Sequence, residues 1–337
     1  MPRAVQIREY GSPSKALDVT DVAKPEPGQG EVLVKMKLRP VNPSDIYSIM
    51  GIYPGYKPRS LPATPGLEGM GVVESVGGGA TRFKPGQRVV PLLLAQAQNT
   101  GNGSWQEYLA VKEADVVAIP DNVSDENAAQ LVINPLTVIG LLNKLQTPKG
   151  QYIAQSAAGS TLGKMLIQVA HHHGIKTINL VRRAAAVDEL KALGADVVIV
   201  TENKEAKDIA EEIKKAAGGY VHGAVDAVSG KAALALSYAV RNRGTIYNYG
   251  TMESPEASVS ALDALFRGII FTGYWVTSDF LEASKERQTE WIKETFDLMG
   301  QGIMVPQHGQ RFKLDDVHAA VKKSNEVGRD GKVLLES

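Results

Sequence analysis

The chain predicts an α/β fold in which a β-rich domain joins a doubly wound parallel sheet. Three observations predict it. Strand follows strand through about the first 120 residues, and from about Asp121 strands and helices alternate. The alternation opens on a turn of very small residues, Ser156-Ala157-Ala158-Gly159-Ser160, between a strand and a helical run.

The elements follow in order. Ala4-Val5-Gln6-Ile7 is strand-like, Val34–Leu38 alternates, and Gly71–Val76 runs into the turn Gly77-Gly78-Gly79. Lys84-Pro85-Gly86 is a turn that leads into the strand at Arg88-Val89-Val90. Asn42 and Pro43 are the cap and first residue of a helix that ends before the Gly51-Ile52-Tyr53-Pro54 turn. The second domain then reads strand at Ile153, helix from Leu162, strand Thr177–Val181, helix Ala186–Leu193 and strand Asp196–Val200. It continues with helix Glu205–Ala217, strand Gly223–Val228, helix Lys231–Val240, strand Thr245–Tyr249 and a last apolar strand, Ile269–Val276. Such a succession specifies a parallel sheet covered by helices on both faces. Beyond Ser278 come a charged helix, a strand at Gln310–Lys313, a helical stretch at Leu314–Asn325 and a terminal strand at Lys332–Leu335. This tail is assigned to the first domain, so that residues 1–120 and 279–337 flank an inserted domain of residues 121–278.

Composition excludes several classes. With 337 residues the chain can build two full cores, and Lys+Arg 37 balances Asp+Glu 37. No basic run points to nucleic acid or an anionic membrane, and no apolar stretch reaches the roughly 20 residues that span a bilayer. The expected partners are small molecules. The start of the chain carries no signal or transit character, which leads to an expectation of a cytosolic protein, or of a mitochondrial matrix protein given without its presequence. There are no cysteines, so thiolate metal sites and cysteine nucleophiles are excluded. His171-His172-His173 cannot converge on one ion, because successive helical side chains point about 100° apart, and no metal is assigned.

The small-residue turn carries the chemistry. A pyrophosphate approaches backbone N–H groups only where side chains are small, and Gly159, Ser160, Thr161 and Leu162 lead from a nearly bare turn into a helix. Gly163 allows that helix to lie close to its strand. Thr161 stands where the usual fingerprint has its middle glycine. At the end of the second strand, where an acid would grip the ribose of NAD, stand Arg182 and Arg183. Two guanidiniums at that point favour a 2′-phosphate, so the expected cofactor is NADPH.

Several segments together resemble one family: Asn42-Pro43-Ser44-Asp45-Ile46 with Gly51-Ile52-Tyr53-Pro54, Pro65-Gly66-Leu67-Glu68-Gly69, Asn134-Pro135-Leu136-Thr137, Tyr249-Gly250-Thr251-Met252 and Phe271-Thr272-Gly273-Tyr274-Trp275. In order and spacing they are similar to the medium-chain dehydrogenase/reductase superfamily, and within it to the zinc-free trans-2-enoyl thioester reductases of the mitochondrial type and the related quinone oxidoreductases. Leu67 stands where zinc-bearing members have a metal-binding histidine. The resemblance implies a GroES-like catalytic domain, a Rossmann domain, an active cleft between them, and a homodimer formed by pairing the strand Ile269–Val276 with its twin.

It also implies residue roles. Tyr53 would be the catalytic tyrosine, whereas on the residues alone it reads as an amphipathic lid side chain packing on substrate. Asn134 would touch the nicotinamide or its ribose, and the Tyr249–Met252 and Tyr274-Trp275 segments would contact the cofactor through their backbone. Tyr274 and Trp275 read equally well as core or interface packing. Lys332 matches a position near the 2′-phosphate and Glu68 a glutamate behind the cofactor, read as structural. Asp45 reads as a cap. The implied reaction is NADPH-dependent reduction of a 2-enoyl thioester on CoA or acyl carrier protein, with Lys57, Arg59 and Arg311 available for the substrate's phosphates. A quinone or small-enone reductase, and a non-enzymatic NADPH-binding protein, are the alternatives.

Overall fold

Six parallel strands form the sheet of the second half of the chain, in the spatial order Val197–Val200, Lys176–Val181, Tyr152–Gln155, Gly223–Asp226, Thr245–Asn248 and Ile270–Gly273. The strand order reverses between Tyr152–Gln155 and Gly223–Asp226, and ligands of such sheets gather at the carboxyl ends flanking that point. The computed structural model describes residues 1–326, 328 and 330–337. They divide into two compact units, Met1–Pro135 with Ile292–Gly300 and Val305–Ser337, and Leu136–Trp291 with Gln301–Met304.

In the first unit a seven-stranded, mostly antiparallel sheet runs through Glu31–Pro40, Met70–Val76, Arg88–Pro91 and Val116–Ala118 on one side. On the other, Glu31–Pro40 pairs with Lys332–Glu336, which in turn pairs with His308–Lys313, so the C-terminal tail joins the N-terminal sheet. A separate hairpin-like pair joins Arg3–Ile7 to Leu17–Asp21. Its core gathers Val5, Ile7, Ile49, Trp105 and Leu335 in one cluster and Val34, Met36, Leu67 and Val89 in another.

In the second unit the apolar faces of Ala206–Ala217 and Gly230–Ala239 close over the sheet through Ile209, Ile213, Leu236 and Ala239. The inner strands Lys176–Val181, Tyr152–Gln155 and Gly223–Asp226 are buried on both faces, so they read as apolar runs without alternation. The last strand is shorter than its sequence suggests. It ends at Gly273, and Trp275 caps the helix Val276–Glu282 that follows. The Tyr274 side chain turns inward: its hydroxyl lies where any side chain at Gly140 would stand, and its ring meets that of Tyr247 edge on at 6.5 Å.

Candidate active site

The small-residue turn of the second unit is built by its backbone. Ala157 adopts φ 49°, a left-handed conformation that swings the chain out of the strand. The Ala158 N–H donates to Leu180 O at 3.1 Å, fixing the turn to the neighbouring strand. Ser160 caps the helix Thr161–His172, its hydroxyl accepting the Gly163 N–H at 3.1 Å. The first-turn N–H groups at Thr161 and Leu162 thus point outward with no intrahelical partner, as an anion site requires. A Cβ on Gly163 would lie 2.7 Å from Ala158 Cα and O, so only glycine permits this approach of helix to turn. At Gly159 a Cβ would meet nothing nearer than Ala186 Cβ at 3.6 Å, so the place over the turn is open. Arg182 and Arg183 follow the strand Lys176–Val181 directly and are exposed.

A buried carboxylate supports this face. Asp226, fully buried, accepts from Ser156 Oγ at 2.6 Å, Val228 N at 3.2 Å, Ser229 N at 3.1 Å and Asn248 Nδ2 at 3.3 Å. Ser229 has φ 66° and ψ −150°, a region nearly confined to glycine, and its hydroxyl donates to Gly250 O at 3.3 Å. A Cβ on Gly250 would strike Ala227 O at 2.6 Å. The Tyr249 and Met252 N–H groups donate to Asp226 O and Ala227 O, so these two expected backbone contacts turn inward, while Thr251 and Met252 are exposed. The Tyr249 hydroxyl is buried without a hydrogen-bond partner among the described residues, and burial followed by the nearby Asp226 pushes its pKa up.

In the first unit, Tyr53 follows the helix Pro43–Met50, whose cap is a reciprocal box. The Asn42 N–H donates to Asp45 Oδ2 at 2.8 Å, and Asp45 Oδ1 accepts the Leu67 N–H at 3.1 Å. Gly51 ends the helix at φ 75°, and the Tyr53 N–H donates back to Tyr47 O at 3.1 Å. Half-buried, the Tyr53 ring packs against both core clusters of its unit. Asn134 opens the helix Asn134–Leu145 and is half-buried.

Lys332, expected near a 2′-phosphate, stands in a buried hydrogen-bond chain of the first unit. It is buried, and its ammonium donates to Asn42 Oδ1 at 2.8 Å. Asn42 Nδ2 donates to Glu68 Oε1 at 2.8 Å, and Glu68 Oε2 accepts the N–H groups of Val132 and Ile133, both at 2.9 Å. Burial pushes Asp45 up to about 7 and Glu68 upward as well, opposed at Glu68 by its hydrogen bonds and by Lys332. Tyr274 is packed in the core of its unit, as one of its two sequence readings has it, with its N–H donating to Asn248 O at 2.7 Å. Trp275 remains partly exposed. Arg311 pairs with Glu126 and with Glu336, so it is already neutralised as a candidate phosphate group, whereas Lys57 and Arg59 are exposed.

The second unit fits a phosphorylated dinucleotide: a cradle with space over Gly159, outward N–H groups, two exposed guanidiniums and an orphaned buried hydroxyl at Tyr249. Among the described residues no cluster of three or more His, Asp or Glu could hold a metal ion, and Leu67 fills its place as buried core. Sequence reasoning placed Ser156 in the turn but missed its bond to Asp226, the support from Asp226 and Ser229, and the Asn42 to Lys332 contact.

Residues 28–121 match the alcohol dehydrogenase GroES-like domain, and residues 161–294 match the family described as zinc-binding dehydrogenase. The chain is 30% identical over 341 residues to the mitochondrial enoyl-[acyl-carrier-protein] reductase of Xenopus tropicalis, covering 99% of this chain and 95% of that protein. Its fold superposes on a putative NADPH:quinone reductase from Bacillus thuringiensis with TM-score 0.89 at 28% identity, covering 100% of this chain and 99% of the other. A mycobacterial protein solved in complex with NADPH aligns with TM-score 0.86 at 27% identity over 100% of both chains.

Proposed function

The chain belongs to the zinc-free branch of the medium-chain dehydrogenases/reductases, and on that premise we propose that it reduces the C=C bond of a 2-enoyl thioester with NADPH. The observation that carries this choice is the full-length likeness to mitochondrial enoyl reductases. A tyrosine in the Gly-Ile-Tyr-Pro turn supports it.

Bound NADPH would supply a hydride for the β-carbon of the acceptor. The residues that would hold it are Gly159, Ser160, Thr161, Leu162 and Gly163 at the pyrophosphate, Arg182 and Arg183 at the 2′-phosphate, and Asn134 with the Tyr249–Met252 segment toward the nicotinamide. Trp275 would add a contact beside that segment. The negative charge that develops on the thioester oxygen and α-carbon needs a donor, and the Tyr53 hydroxyl would stabilise the oxygen and deliver the α-proton. The tyrosinate would then recover its proton from solvent.

We place the substrate on CoA or acyl carrier protein, with Lys57 and Arg59 facing its phosphates. The protein is expected in the mitochondrial matrix, as its relatives are mitochondrial, or in the cytosol. The edge strand Ile270–Gly273 is unpaired on its outer side among the described residues, and Leu262, Leu265 and Phe266 of the preceding helix are at least 70% exposed. An apolar edge of this kind supports a homodimer.

The structural likeness to a quinone reductase favours a second reading, in which a quinone or small enone accepts the hydride. NADPH oxidation followed with crotonyl-CoA, a longer enoyl-CoA and a quinone in parallel decides between them. Turnover of the thioesters is expected, and turnover of the quinone alone would reject the thioester reading. Tyr53→Phe is expected to lower turnover by about 10²–10⁴ while leaving NADPH affinity near that of the parent.

A further inference from the structure

We propose that Glu68 is a positioning residue for this reaction, setting where Asn134 stands relative to the helix and turn that carry Tyr53. The inference rests on the role given above to Asn134 and adds a residue that does not itself touch the cofactor.

Four buried side chains form one chain of hydrogen bonds: Lys332 to Asn42 Oδ1, Asn42 Nδ2 to Glu68 Oε1, and the Asn42 N–H to Asp45, with none more than 3% exposed. The charges at its ends fix the orientation of the Asn42 amide, whose oxygen must face the ammonium and whose nitrogen must face the carboxylate. At one end Asn42 and Asp45 cap the helix whose far end leads into Tyr53. At the other, one Glu68 oxygen takes both Val132 N–H and Ile133 N–H, the residues just before Asn134. Pro135 has no N–H, and these two donors tie the segment to Glu68 as it enters the helix. Segments 26 and 64 residues apart from their partners are thereby held in one register.

Glu68→Gln keeps the volume and breaks this logic. An amide has one acceptor oxygen. If that oxygen takes the two backbone N–H groups, its NH₂ opposes the Asn42 NH₂, and turning Asn42 would put an NH₂ against the Lys332 ammonium. The segment before Asn134 must then shift, and a displacement near 1 Å costs on the order of a hundredfold when it moves a group that orients the reacting partners.

The test is a double-mutant cycle of Glu68→Gln with Asn134→Ala, read in kcat for whichever acceptor the parent reduces and in NADPH Kd from nicotinamide fluorescence. A fall of about tenfold or more from Glu68→Gln alone is expected, shrinking to less than about twofold in the Asn134→Ala background. An equal loss in both backgrounds, or no loss in the parent background, overturns the proposal, whatever happens to melting temperature. If Glu68→Gln does not fold, Lys332→Met is put through the same cycle, with a smaller loss of about threefold that again must vanish without Asn134. A parent that reduces only quinones but shows the coupling would reject the thioester reading and keep this one. A parent that reduces thioesters without the coupling would do the reverse.

Discussion

The Ser156 hydroxyl donates to Asp226 Oδ1 at 2.6 Å, joining the first strand of the parallel sheet to the fourth across the point where the strand order reverses. Ser156 begins the phosphate turn, and Asp226 accepts from the backbone leading to Ser229 and from Asn248, which precedes Tyr249. The two segments proposed to hold the cofactor in the second unit are therefore referred to one buried carboxylate that hydrogen-bonds no lysine or arginine among the described residues. Asp226→Asn offers one acceptor to donors that need two, leaving buried N–H groups facing an amide NH₂. It is expected to destabilise the fold by about 2 kcal/mol in urea titrations and to raise the NADPH KM. An unchanged urea midpoint would show that the hydrogen bonds are dispensable.

Regular elements of the second unit were legible because their cause is local. Apolar runs of four to six residues, separated by helical periods and small turns, specify buried parallel strands whatever lies elsewhere. The end of the last strand was not legible, since Tyr274 and Trp275 favour strands and only the inward packing of Tyr274 on Gly140 removes them from it. Likewise Asp45 could be read as a cap from its place three residues after Asn42, a spacing internal to one helix. Lys332 could not be read, because its partner lies 290 residues away and nothing near it in sequence marks it as buried. Ser229 gave no warning either: a serine in a glycine conformation is set by the donors around it, among them Asn248 Nδ2 at 3.0 Å.

The two glycines of the turn should separate folding from binding. At Gly163 an added methyl meets backbone atoms of Ala157 and Ala158 at 2.7 to 2.9 Å, which cannot move without parting the helix from the strand. Gly163→Ala is expected to lower stability by about 1–3 kcal/mol and to weaken NADPH binding with it. Gly159→Ala meets only Ala186 Cβ at ordinary contact distance, so the fold should tolerate it while the methyl takes the space over the turn. Calorimetry should find a melting temperature near that of the parent and an NADPH Kd raised about tenfold or more. Parent-like NADPH affinity in Gly159→Ala would mean that the phosphates lie elsewhere.

On the proposed reading, Arg182 and Arg183 would carry the preference for a phosphorylated ribose. Each exposed guanidinium could form a charge-assisted pair with the 2′-phosphate, an interaction of about 1.5–3 kcal/mol. Arg182→Ala and Arg183→Ala are each expected to weaken NADPH by about ten- to a hundredfold and to leave NADH nearly unchanged, with the NADPH loss smaller at high salt. A fall shared equally by both dinucleotides would assign the arginines to the pyrophosphate instead.

Asp45 gives the first unit a pH dependence whose sign follows from burial. An unfolded aspartate titrates near pH 4, whereas burial, with the Glu68 charge beside it, raises the folded group to about 7. Its neighbours are Asn42, whose N–H it accepts, the Leu67 N–H, the like charge of Glu68 and the ammonium of Lys332. Between those two values the folded state holds a proton that the unfolded state has released. The stability due to this group is therefore fully present below about pH 4 and is lost as pH rises through about 7. Asp45→Asn cannot titrate and surrenders one N–H acceptor at every pH, a constant cost of about 1 kcal/mol. The melting temperature of the parent should therefore exceed that of Asp45→Asn most at about pH 4 to 5, with the gap closing or reversing by about pH 8. A gap that stays level across the range would place the Asp45 proton loss below pH 4 and remove burial as its governing influence.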